Sequence, residues 1–283
     1  MFVVGSTNVD RTVPVPRLPA RGETVLGEAI RISAGGKGAN AAAAAASAGA
    51  AVTFISAVGA DEDGEAALAT LRAEGVDVAG VAVLDDVPTG AALIITDDEG
   101  ANLIAVAAGA NGRLRADHVT RSLRAIGSDD VLLVSAEIPD VCVEAALRAG
   151  AAGAAAILNP APSRPSLLAA TGLGAILTPN ETEARELTGL EDPDQAARRL
   201  TQRSGRPAIV TLGEAGCLVA DGDAVTAYPA APPPRIVDTV GAGDAFAGGL
   251  AAALATGTEL DGAVHAALRA AAESLGHAGA RSA

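Results

Sequence analysis

Aromatic side chains are nearly missing from this 283-residue chain, which has one tyrosine, three phenylalanines and no tryptophan. Hydrophobic residues still make up 49% of it, so the core must be built from Ala, Val, Leu and Ile. Cysteine is equally scarce. Cys142 and Cys217 stand alone without metal-ligand spacing, which fits a reducing cytoplasm better than a disulfide framework. His118, His265 and His277 are scattered and suggest no zinc site. Positive charge is short too: 20 basic against 34 acidic residues leaves a formal charge of −14 and a pI near 4.6. Nothing in that balance neutralises a nucleic-acid backbone or an anionic membrane, so neither is expected as a partner. Any phosphate site must be local, made of backbone amides, one or two basic side chains and metal ions. No signal peptide is visible after Met1, and the Ala41–Ala46 run is too weakly apolar to span a bilayer. A soluble, cytoplasmic protein is expected.

What is present is an α/β pattern. Phe2-Val3-Val4 reads as a buried opening strand that ends at Gly5-Ser6-Thr7-Asn8-Val9-Asp10, and open α/β sheets place ligand contacts just past such strand ends. From Arg11 to Ser33 no helix fits; Val13, Val15, Thr24-Val25-Leu26 and Ile30-Arg31-Ile32 read as short strands around a turn at Pro19–Gly22. A second β excursion runs from Thr89-Gly90 to Thr96 and from Leu103 to Val106. The two excursions, about 11–33 and 88–109, could pair into one small sheet inserted as a lid in a single domain of residues 1–283. From Arg113 onward helices alternate with strands at Val131–Ser135, Ala155–Leu158, Ala175–Leu177 and Ala208–Leu212, the signature of a mostly parallel sheet between helical layers.

Two glycine-rich turns stand out. Ala34-Gly35-Gly36-Lys37-Gly38-Ala39-Asn40 leads into an Ala-rich helix; it lacks the Ser or Thr of a Walker motif, but its glycines allow close backbone approach while Lys37 and Asn40 offer donors. A helix-start turn with a solvated lysine reads equally well from this segment alone. The second is Arg235–Gly249, where Arg235-Ile236-Val237 looks like a short buried strand and a helix begins by Ala245. Gly241-Ala242-Gly243-Asp244 would then sit where unpaired amides and the helix dipole favour an anion. Asp244 would repel a bound phosphate unless its task is to take a proton from an attacking hydroxyl; alternatively it is an ordinary capping Asp. A dinucleotide fingerprint fits worse, because Phe246 occupies its third glycine position.

Five collinear motifs together resemble the ribokinase family of sugar kinases, the PfkB-type carbohydrate kinases. They are Gly5–Asp10, Gly35–Asn40, Asn159-Pro160-Ala161-Pro162, Thr178–Glu183 and Asp238–Asp244, supported by Ala108-Gly109-Ala110-Asn111. The resemblance implies a three-layer α/β/α domain with a small β lid, and ATP-dependent phosphorylation of a sugar hydroxyl with Mg²⁺, commonly activated by K⁺. It implies that Asp244 is the base, with Gly241, Ala242 and Gly243 completing a backbone anion hole. Asn8, Asp10, Gly36, Lys37, Asn40 and Glu137 would hold the sugar, and Val106 would touch it from the lid. Asn180 and Glu183 would organise Mg²⁺ through water. Asn180, Thr211, Gly213, Glu214, Gly216, Gly243 and Leu268 would line the nucleotide site. Asp238, Val240, Ser274, His277 and Gly279 would surround K⁺. A homodimer through the lid is also implied.

The motifs favour a small free pentose, D-ribose first, phosphorylated on its 5-hydroxyl. A nucleoside would want an aromatic shelf, for which Tyr228 and three phenylalanines offer little. Deoxyribose, fructose and adenosine remain alternative substrates, and a catalytically inactive sugar-binding relative is the alternative outside catalysis. Leu268 falls where relatives often present an asparagine to the nucleotide, and Ala283 where a serine helps enclose potassium.

Overall fold

The computed structural model describes residues 1–151, 153–276 and 279–281. In chain order the strands and helices are β1 (Phe2–Val4), β2 (Asn8–Val15), β3 (Arg31–Gly35), α1 (Lys37–Ser47), β4 (Thr53–Gly59), α2 (Glu62–Ala73), β5 (Asp77–Leu84), β6 (Gly90–Asp97) and β7 (Asn102–Ala107). There follow α3 (Ala116–Ser122), β8 (Val131–Ser135), α4 (Asp140–Gly150), β9 (Ala155–Asn159), β10 (Ile176–Leu177), α5 (Glu181–Thr188), α6 (Pro193–Ser204) and β11 (Ala208–Thr211). The chain closes with β12 (Cys217–Asp221), β13 (Ala224–Tyr228), α7 (Ala242–Ala255) and α8 (Leu260–Ser274).

Nine strands form the main sheet in the order β13-β12-β11-β10-β9-β8-β1-β4-β5, parallel from β11 to β5 and antiparallel over β11, β12 and β13. Alternation along each strand splits its side chains between two apolar layers. Val4, Ile55, Leu132 and Val134 pack with α3, α4, α5 and α6. Val3, Phe54, Val131 and Leu133 pack with α1, α2, α7 and α8. The expected three-layer α/β/α arrangement follows from strands that are apolar on both faces. Because few side chains are large, α7 approaches α1 closely: a Cβ at Gly248 would lie 2.5 Å from the Ala41 carbonyl oxygen.

The two β excursions do pair, as a four-stranded sheet in the order β3-β2-β6-β7. It is mixed rather than antiparallel throughout, since β2 and β6 run parallel while β2/β3 and β6/β7 are antiparallel. Two expected strands are absent and need correction. Thr24-Val25-Leu26 is irregular, with Leu26 89% exposed, because a turn closed by the Glu23 amide on the Ala20 carbonyl leaves no partner strand beside it. Arg235-Ile236-Val237 is neither a strand nor buried, Ile236 being 67% exposed. Pro232, Pro233 and Pro234 lack the donors a ladder needs, and the segment is tied instead by the Val237 amide to the Leu275 carbonyl at 2.7 Å. β5, an edge strand of short Val and Ala residues interrupted by Gly80, has too weak a pattern to stand out in the sequence.

Close packing at one crossing decides where the glycine-rich turns lie. Gly38, in the first turn of α1, rests on Gly5 at the end of β1, and a Cβ at Gly38 would come within 2.6 Å of the Gly5 backbone. Gly38→Ala should therefore destabilise the protein by about 1–3 kcal/mol through overpacking. Denaturant unfolding measures this; a wild-type midpoint would mean that the crossing is not constrained.

Candidate active site

The site collects the C-terminal ends of β1, β8 and β9, the N-termini of α1, α5 and α7, and one face of the small sheet. Asn8 begins β2, and Glu137 follows β8 by two residues. Glu137 Oε2 accepts from the Ser6 hydroxyl at 2.5 Å, from the Asn8 amide nitrogen at 3.3 Å and from the Lys37 backbone N–H at 3.3 Å. Asn111 fixes the other end of Asn8: its Nδ2 donates to Asn8 Oδ1 at 2.8 Å and to the Thr7 carbonyl at 2.9 Å, while its Oδ1 accepts from the Thr7 amide at 2.8 Å. A buried amide with these partners has a fixed orientation.

Register places Asp10 opposite Ala92 on β6, and Ala92 opposite Val106 on β7, so these three share one row and one face of the small sheet. On the other side Asp10 meets Gly35, where an added Cβ would fall 2.2 Å from Asp10 Oδ1. Burial, then the carboxylates of Glu137 and Asp244, push the Asp10 carboxyl up to about 6, against the opposing pull of Arg281 and Lys37.

Gly36 caps α1 with φ of 91°, a backbone that only glycine adopts at ease, and so turns Lys37 and Asn40 inward. Asn40 Nδ2 donates to Asp244 Oδ2 at 2.9 Å. Asp244 lies in the first turn of α7, which opens on Gly241 with φ of 83°. No side chain caps that turn, and the amides of Gly243 and Asp244 have no protein acceptor among the described residues. Asp244 is 5% exposed, and burial pushes its carboxyl up to about 6, opposed by the Lys37 ammonium and the Asn40 hydrogen bond and reinforced by Glu137 and Glu183. Burial acts against the Lys37 charge, but Asp244, Glu137, Glu183 and Asp10 outweigh it and hold the ammonium above its ordinary range.

Lys37, Asp244, Gly241, Ala242 and Gly243 border a cleft of about 170 Å³ together with Asn180, Glu183 and Thr211. Asn180 and Glu183 form a capping box on α5: Asn180 Oδ1 accepts from the Glu183 amide at 2.8 Å, and Glu183 Oε2 accepts from the Asn180 amide at 2.9 Å. Asn180 Oδ1 is taken by the cap, so Glu183 Oε1 is the one oxygen of this pair left without a protein donor among the described residues; both residues border the cleft, and a divalent ion would be held there mainly through its waters. Thr211 bridges to Asn180, and Gly213 and Glu214 lie on an exposed turn beyond it. Gly216 closes that turn where an added Cβ would lie 2.0 Å from the Tyr228 carbonyl oxygen.

Not every expected residue converges. Leu268 does not border this cleft; it is buried in the apolar layer beneath α7 and α8. Asp238 turns both oxygens to backbone, accepting from the Val240 amide at 3.0 Å and the Gly279 amide at 2.9 Å. This brings Asp238, Val240 and Gly279 together, with each carboxylate oxygen of Asp238 already accepting from an amide. Ser274 spends its hydroxyl on the Ala271 carbonyl at 2.8 Å, and His277 lies outside the described residues. Residues without a role assigned from the sequence also enter: Ser6 and Asn111 in the network around Glu137 and Asn8, and Asn159, Thr178 and Thr239 around the cleft. One signal could have singled out Lys37, since it is the only lysine of the chain.

Over residues 1–283 the sequence matches the pfkB family carbohydrate kinases. The chain belongs to that family and is a carbohydrate kinase. It is 36% identical over 296 residues to the ribokinase of Haemophilus influenzae, covering 100% of this chain and 94% of that one. It is also 36% identical over 261 residues to the bifunctional ribokinase/ribose-5-phosphate isomerase A of Fructilactobacillus sanfranciscensis, where the match takes in 90% of this chain but only 48% of that longer protein. The solved structure of Arabidopsis thaliana ribokinase complexed with ribose and ATP superposes with a TM-score of 0.86 at 29% identity, covering 98% of this chain and 93% of that one.

The raised carboxyl of Asp244 has a consequence for stability. Its folded value of about 6 exceeds the ordinary 3.8, so the folded protein binds the proton more tightly than the unfolded chain does. The resulting stabilisation is complete below about pH 4 and is lost as pH rises through about 6. Asp244→Asn removes the buried charge and should be more stable than wild type at pH 8, by on the order of 1–3 kcal/mol. The advantage should fade between pH 6 and pH 4. Thermal unfolding across this range measures it, and an equal or lower Tm for the variant at pH 8 would contradict the assignment of Asp244 as a desolvated carboxylate.

Proposed function

We propose that this kinase transfers the γ-phosphate of ATP to the 5-hydroxyl of D-ribose, giving ribose 5-phosphate and ADP. The observation that carries the reading is the placement of Asp244: a buried carboxylate held by Asn40, in the same helical turn as two amides, its own and that of Gly243, with no protein acceptor among the described residues. A primary alcohol docked against Asn8, Asp10, Lys37, Asn40 and Glu137 would present its proton to Asp244 while its oxygen faces the incoming phosphoryl group. The Gly241–Asp244 backbone then meets the charge that grows on the transferred group, in a site already arranged to receive it. Carboxylates suit vicinal hydroxyls because each accepts two hydrogen bonds, and their desolvation is relieved only by a sugar that supplies those donors.

Val106 and Ala92 would lie over the sugar as the small sheet closes, excluding water from the transfer. Thr211, Gly213, Glu214 and Gly216 would receive the nucleotide. Leu268 would reach it only as part of the apolar wall. Mg²⁺ held through water by Asn180 and Glu183 would neutralise the charge of the triphosphate, and K⁺ beside Asp238 and Val240 would steady the loop that leads into α7. The two free cysteines, both buried, suit a cytoplasmic setting. No helix among the described residues is long and apolar enough to cross a membrane.

The small sheet also supports a homodimer. Ile32, Leu93 and Leu103 are exposed large apolar residues on its face opposite Asp10, and β7 offers an open edge. A second copy applied to this sheet would cover them. Leu103→Glu should then convert a dimer to a monomer in sedimentation; an unchanged species would leave the lid without this role.

A coupled ADP-release assay tests the catalytic reading. With ribose, Asp244→Asn should lower kcat by about 10²–10⁴-fold while ATP affinity changes little. For wild type, kcat/KM should fall as pH drops through about 6, where Asp244 and Asp10 take up protons. Turnover with fructose, deoxyribose or adenosine but not ribose would reassign the substrate. Sugar binding without turnover on any of them would mark the chain as a binding protein.

A further inference from the structure

Residues 279–281 cross the site from behind, and three contacts tie them down. The Gly279 amide donates to Asp238 Oδ2 at 2.9 Å. Ala280 covers the capping residue of α7 so closely that a Cβ at Gly241 would lie 2.6 Å from the Ala280 Cβ. Arg281 then enters the protein, its side chain 5% exposed, and its Nη1 reaches Glu74 Oε2 at 3.2 Å just past the end of α2. Nε and Nη2 of Arg281 have no protein acceptor among the described residues, so Glu74 alone anchors the guanidinium. The side chain borders a cavity of about 390 Å³ that also touches Asn40, Ala245 and Ser274, and so lies between α1, α7 and α8. A buried guanidinium held by one carboxylate is an expensive way to secure a chain segment, unless the position of that segment matters.

We propose that residues 279–281 form a strap that holds the capping turn of α7 in place, with the Arg281–Glu74 ion pair as its anchor and Arg281 as a positioning residue for phosphoryl transfer. This rests on the reading of the 241–244 backbone as the anion hole. Gly241 is pinned between the chain behind it and Ala280 in front, and its φ of 83° admits no simple relief. The amides of Gly243 and Asp244 follow directly from that turn. Loosening the strap should therefore move the donors that meet the transition state and leave the sugar contacts of Asn8, Lys37 and Glu137 alone. Small displacements of such donors are costly to the chemical step.

The full-length chain, assayed with ATP and ribose at fixed Mg²⁺ and K⁺, separates the outcomes. Arg281→Met and Glu74→Gln should each lower kcat by about 10-fold or more while the KM for ribose stays within about threefold, and Arg281→Lys should restore most of the loss. Glu74→Gln is needed because Arg281 also exerts a charge on Asp10; that variant frees the anchor but keeps the cation. Wild-type kcat in both variants would overturn the proposal. So would kcat and ribose affinity falling together with the melting temperature, the signature of general destabilisation. If Asp244→Asn itself kept full turnover, the reading of this turn as the phosphoryl-transfer site would fail first; a dead Asp244→Asn beside wild-type Arg281→Met and Glu74→Gln would sink the strap alone.

Discussion

One ammonium faces four carboxylates in this protein, and much of the architecture manages that imbalance. Lys37 is surrounded by Asp10, Glu137, Glu183 and Asp244, whose combined field outweighs the burial that would otherwise discharge it. Left in a dry interior, so much unbalanced negative charge would be costly, and besides the more distant pull of Arg281 on Asp10 the protein answers with directed donors. Glu137 takes a hydroxyl, an amide and a backbone N–H; Asp244 takes Asn40; Glu183 takes the cap of its own helix. Burial raises the carboxyls of Asp10 and Asp244 to about 6 and raises that of Glu183 as well; Asp10 accepts no protein hydrogen bond among the described residues and Asp244 only that of Asn40. The charge is thus left unsettled where a polyhydroxy substrate would supply the missing donors. Selectivity then follows from energetics: a ligand lacking a hydroxyl leaves a buried acceptor unpaired.

The small sheet belongs to the same account. Its strands carry Asn8 and Asp10 on a face that continues through Ala92 to Val106, so the proposed sugar contacts and covering residues share one face of one sheet. A sheet that leaves half its large apolar side chains exposed is poorly finished for a monomer, and its exposure is intelligible where closure and pairing with another copy complete it.

The sequence revealed most of this because its motifs sit where physics constrains the chain twice. Gly36 and Gly241 require left-handed backbone, Gly35 and Gly38 require close approach, and each stands beside a polar residue that the turn aims inward. Parallel strands announce themselves as apolar runs, which is why β1, β8, β9 and β11 are legible. Val25 and Ile236 misled because β-branched composition alone does not provide a partner strand, and prolines 232–234 remove the donors for one. Asn111 was visible as part of a motif, but its clasp on Thr7 and Asn8 spans more than a hundred residues and has no local signature. Arg281 had none either: one arginine among many, its meaning set wholly by where residue 74 lies.

Long-range partners of this sort follow from how little the core can do by shape. With Ala, Val and Leu filling both layers, helices α1, α7 and α8 pack closely but present few large knobs to lock their relative positions. Smooth Ala-rich interfaces give close approach and weak orientation. Polar contacts between elements supply the missing orientation: Asn40 joins α1 to α7, Asp238 joins the loop before α7 to Gly279, and Arg281 joins the chain after α8 to the end of α2. The first two of these contacts lie in or beside the proposed phosphoryl-transfer site. In an alanine-rich kinase the groups that set helix geometry and the groups that set the reaction coordinate are therefore largely the same, and a change to one is expected to register in the other.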